Sequence, residues 1–105
     1  MRMDHQTKIM IVDALTKLVD EAPTKSAVQF TLYPQTYVVT KERFDIWVNY
    51  IFSTMQIISS YIDVRICLSN INNIIMQPNS SNEYASQVNA ICHIILDFAR
   101  TILYL

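Results

Sequence analysis

Two apolar seams facing each other across one proline constrain this chain more than any other feature. One runs Ile57, Tyr61, Val64, Leu68, Ile71, Ile75; the other runs Tyr84, Val88, Ile91, Ile95, Phe98, Ile102, Leu105. Both advance by alternating steps of three and four residues, the spacing of a packed stripe along an α-helix. The pairs Ile75–Tyr84, Ile71–Val88, Leu68–Ile91, Val64–Ile95, Tyr61–Phe98 and Ile57–Ile102 are all centred between residues 79 and 80, beside Pro78. An antiparallel helical hairpin needs that symmetry. Heptad spacing supplies part of it, and the agreement in phase with the turn that the proline marks is separate support.

A further seam, Phe44, Val48, Ile51, Met55, Ile58, Ile62, overlaps the start of the first. With Thr40 as N-cap and Pro78 as the stop, the two together predict one long helix over 41–76 that passes through Ser59-Ser60. Ser80 and Glu83 have the spacing of a capping box and predict a last helix over 81–104. Nearer the N-terminus, Ile11, Ala14, Leu15, Leu18 and Ala22 predict a helix over 4–21, capped by Asp4 and ended by Pro23. Residues 26–40 change to a period of two. Val28, Phe30 and Leu32 alternate with Gln29, Thr31 and Tyr33, and Tyr33-Pro34-Gln35-Thr36 reads as a turn before Tyr37-Val38-Val39. The expected fold is mainly α with a minor β element: an N-terminal helix, a short β-hairpin or strand pair, then a long antiparallel two-helix hairpin. At 105 residues the chain is expected to form one domain, 1–105.

Composition narrows the class of function. Half the residues are apolar (51%), too many for a disordered segment. The net charge of −1 gives no electrostatic footprint for duplex nucleic acid or an anionic membrane. Glycine is absent, which excludes glycine-built phosphate loops and dinucleotide fingerprints. The longest apolar run, 46–62, is 17 residues and holds Asn49, Ser53, Thr54, Gln56, Ser59 and Ser60, so no spanning helix is expected where about 20 apolar residues are needed. Lys8 and Asp13 interrupt the first apolar stretch, which argues against a signal peptide. The expected location is the cytoplasm. Cys67 and Cys92 have no metal-site spacing and are expected to be reduced neighbours across the hairpin.

Two polar rows are candidate binding surfaces. Arg65, Ser69 and Asn72 continue the line of Ile58 and Ile62 and replace apolar positions with hydrogen-bond donors. Arg65 is two residues from Asp63, and i,i+2 neighbours on a helix do not face each other. On the last helix Ser86, Asn89, His93, Asp97, Arg100 and Tyr104 form a stripe in which His93–Asp97 and Asp97–Arg100 have contact spacing. The ordinary reading of both rows is a solvated face. The functional reading is a surface for a ligand or partner.

No nucleophile motif, metal spacing or cofactor motif accompanies these rows, so an enzyme is the poorest fit and neither a metal nor a cofactor is expected. A small protein-interaction module of inhibitor, immunity, adaptor or chaperone type fits better, binding a host or cognate protein. Small helical proteins of phages and plasmids often have this form. The alternative is a module that sequesters a small anion or nucleotide with Arg65 and Arg100. Residues 46–105 hold 34 apolar residues and five charged ones, more apolar surface than a two-helix hairpin hides, so a homodimer or higher homo-oligomer is expected.

Overall fold

A computed structural model describes residues 3–23, 38–79 and 83–105. Among them the chain forms four helices and no strand: α1 His5–Asp20, α2 Lys41–Ile58, α3 Arg65–Ile75 and α4 Ala85–Leu103. The protein is therefore predominantly α. The strands expected over 26–40 lie mostly outside the described residues; residues 38–40 are described and belong to no strand.

Each helix begins for a local reason. The Asp4 carboxylate accepts from the Thr7 backbone N–H at 2.7 Å, filling one of the donors that a helix start leaves open. The Thr40 hydroxyl oxygen accepts from the Arg43 N–H at 3.4 Å in the same way for α2. The start of α4 is different. The expected capping box would begin the helix at 81 with Glu83 inside its first turn, but α4 begins at Ala85. Glu83 lies ahead of it and accepts from two backbone N–H groups, Ala85 at 2.8 Å and Val39 at 3.1 Å. Its carboxylate thus ties the approach to α4 to the approach to α2, joined again where the Tyr84 N–H donates to the Val39 carbonyl at 3.0 Å. Ser80 lies outside the described residues.

The single helix expected over 41–76 is two helices, α2 and α3, separated by residues 59–64. Serine and aspartate explain the break, because their short polar side chains compete for the local backbone. The Ser59 hydroxyl donates to the Gln56 carbonyl at 2.6 Å, and Ser60 and Tyr61 bond back over three residues instead of four. Asp63 then accepts from the Arg65 N–H at 3.0 Å and starts the next helix. The seam read through this point is real only beyond it. Val64 and Ile71 are buried and Leu68 and Ile75 half-buried, whereas Ile57 and Tyr61 are exposed. The other seam of that stretch is buried from Phe44 to Ile58.

The helices run up, down, up, down. Lys8 Nζ donates to the Leu105 carbonyl, so the start of α1 meets the end of α4. At the opposite end the Trp47 indole N–H donates to the Leu18 carbonyl at 2.9 Å, Arg43 donates to the Pro23 carbonyl at 3.0 Å, and Phe44 stacks on Tyr84 with ring centroids 4.8 Å apart. The closest helix pairs are α1 with α4, then α3 with α4. The core is Ile11, Leu15 and Leu18 from α1, Ile51 and Met55 from α2, Ile71 from α3, and Ile91, Ile95 and Ile102 from α4. α4 is the central helix: its Val88–Ile102 stripe is shared between α1 and α3.

Candidate functional site

The first turns of α3 and the far half of α4 leave an open groove of about 480 Å³ between them. Asp63, Ile66, Cys67 and Asn70 line one side; Ile94, Asp97, Phe98 and Thr101 line the other. At about 100° per residue these positions share one flank of each helix. The floor is apolar, and Ile66 stands at its lip with 77% of its surface exposed. The volume is that of an ordinary binding cleft. A second concavity of about 350 Å³ lies at the other end between α1 and α2, lined by Glu21, Pro23, Arg43, Ile46, Trp47 and Tyr50. It adjoins Pro23, where the described residues break off.

The ionised groups of the α3–α4 groove are held in pairs. Arg65 grips Asp63 with both ends of its guanidinium, Nε to Oδ1 at 2.9 Å and Nη2 to Oδ2 at 2.8 Å. This corrects the expectation that the two do not meet. Asp63 precedes α3 and is not on it, so the helical i,i+2 rule does not apply. Those side-chain bonds, with the backbone bond from Arg65, hold the Asp63 carboxyl down at about 2. Asp97 pairs more loosely with Arg100 at 3.8 Å, both side chains exposed. Burial pushes the Cys67 thiol up to about 11, so it remains protonated at neutral pH and is a poor nucleophile. Among the described residues no disulfide joins Cys67 to Cys92.

The residues singled out in the sequence are not brought into one site. Asp97 lines the groove, and Arg65 reaches its rim only by holding Asp63. Ser69 and Asn72 lie on the other flank of α3, exposed. His93, Arg100 and Tyr104 are exposed on the outer face of α4, and no hydrogen bond or ion pair joins His93 to Asp97. Neither Arg65 nor Arg100 is among the residues lining the groove, although the carboxylate each holds is. Neither polar row included Ile66, Asn70, Ile94 or Thr101, which flank the seams. The signal was present: Ile66 and Ile94 are large aliphatic side chains off the seam on neighbouring helices.

Among the described residues no group of three or more His, Cys, Asp and Glu is placed to hold a metal ion. No described helix is long and apolar enough to cross a membrane. No family model, curated protein or solved structure matches the chain.

Proposed function

We propose that this chain is a small non-enzymatic protein-interaction module of inhibitor, immunity, adaptor or chaperone type, working as a homo-oligomer on a host or cognate protein. One observation carries the reading. The α3–α4 groove is apolar and open, and its titratable groups are two carboxylates already paired with arginines and a thiol kept protonated. Catalysis needs a base, acid or nucleophile free to act on a reacting atom. An open apolar floor with charges at its rim is instead the anatomy of a protein-binding surface.

The test is affinity capture with the tagged full chain from cells that contain its partner, beside the variant Thr101→Arg, which puts a long cation into the groove from an exposed position. The expected result is one specific protein captured by the wild type and not by the variant. Capture of none, together with turnover or a large thermal shift in a metabolite panel, would overturn the reading.

A further inference from the structure

The exposed apolar side chains are unevenly distributed. Six large apolar side chains that are half or more exposed, Ile57, Tyr61, Ile66, Leu103, Tyr104 and Leu105, lie at the end of the bundle where α2 gives way to α3 and α4 finishes, against three, Val38, Ile46 and Met76, at the opposite end. The groove opens at the same end. Resting on the interaction-module reading, we propose that two copies of this chain associate about a two-fold axis through this end, Ile66 of each copy seated in the α3–α4 groove of the other.

Area and charge both favour a second copy over another occupant. At roughly 60–120 Å² for each aliphatic side chain, and more for each tyrosine, the six residues hold on the order of 500–700 Å² of removable surface. Ile94 and Phe98 in the groove add to it, and a stable dimer needs about 800 Å² per partner. The ions beside the groove are Asp63 with Arg65 and Asp97 with Arg100, two of each sign. A cationic or anionic partner would find no net field there. An isologous contact requires a patch that is its own complement, with both signs present, so that an arginine of one copy can re-pair with a carboxylate of the other.

The test is light scattering on the full chain, eluted at about 10–50 μM, where a dimer with a Kd of about 1 μM or tighter is well populated. The expected mass is twice 12.2 kDa, and Ile66→Arg should bring it to a single 12.2 kDa species with unchanged helical circular dichroism. If Ile66→Arg does not fold, Asn70→Arg at an exposed position of the groove wall decides, with dimerisation expected to weaken at least tenfold. A wild type that elutes only at 12.2 kDa overturns the proposal, as does a folded variant that remains as dimeric as the wild type. A monomer that still captures a different protein through the groove sinks the dimer and leaves the interaction module standing. A monomer that captures nothing, and that turns over or is shifted by a metabolite, sinks both.

Discussion

α2 and α3 derive from one stretch of sequence with one apolar rhythm, yet they have opposite relations to the core. α2 buries six side chains, Phe44, Trp47, Val48, Ile51, Met55 and Ile58, and fastens itself to α1 through the Trp47 indole. α3 buries two, Cys67 and Ile71, and has no side-chain bond from its N-cap residue Val64. α3 instead has Ile66 in water on one flank and Arg65, Ser69 and Asn72 on the other. Equal periodicity therefore does not mean equal burial. Each has one close partner helix, α1 for α2 and α4 for α3, so what separates the two is how much of its own face each turns inward, six buried side chains against two. The first holds the fold, and the second is the surface the fold presents.

The largest test of that difference is a pair of truncations. Ile51→Ala leaves a cavity at a fully buried position and should cost about 3–5 kcal/mol, whereas half-buried Leu68→Ala should cost about 1–2 kcal/mol. Urea midpoints measure both, and equal losses would erase the distinction. Next comes the tie between the approaches to α2 and α4. Glu83→Ala strands two part-buried backbone donors and should cost about 1–3 kcal/mol, with Glu83→Gln recovering most of it because an acceptor oxygen remains. A neutral Glu83→Ala would show that the tie contributes nothing to stability.

The inward face of α3 should nevertheless be dry. Cys67, with its thiol pushed up to about 11, should react with an alkylating reagent at pH 8 at least about tenfold more slowly than half-buried Cys92. Mass spectrometry of a labelling time course reads the order, and Cys67 reacting first would mean that α3 lifts from α4. The smallest effect concerns the start of α3. The Asp63 carboxyl is held below its ordinary value near 3.8, so its contribution to stability is present above that value and disappears as pH falls through about 2. The melting temperature of the wild type should therefore fall slightly more than that of Asp63→Asn between pH 4 and pH 2. Parallel curves would remove Asp63 from the account.

Seams were legible where packing alone set them. The α2 stripe from Phe44 to Ile58 is buried as its spacing implied, and so is the α4 stripe from Val88 to Ile102 except at Phe98, which is half-buried in the groove wall. The start of α1 at Asp4 was readable for the same reason a cap is: one short acceptor ahead of an apolar periodic run. The break at 59–64 was not read, because a heptad rhythm continues through it and only Ser59, Ser60 and Asp63 argue otherwise. The groove was not legible either. It depends on how α3 and α4 are set against each other, a tertiary quantity that periodicity does not encode. Nor was the pairing of α1 with α4, since nothing local in α1 says which distant helix will take its Ile11–Leu15–Leu18 face.

That pairing bears on how the chain is made. Lys8 and Leu105 are 97 residues apart and bond to each other, so α1 finds its main partner, α4, only after all the residues between them have been made. At about 5–20 residues per second the wait is on the order of 5–15 s. Through that interval α1 carries an unpartnered apolar stripe, and α2 can shelter only the part near Leu18 that Trp47 reaches. A ribosome stalled within α4 would thus hold α1, α2 and α3 with their shared interior still open, the kind of exposed apolar surface that chaperones bind.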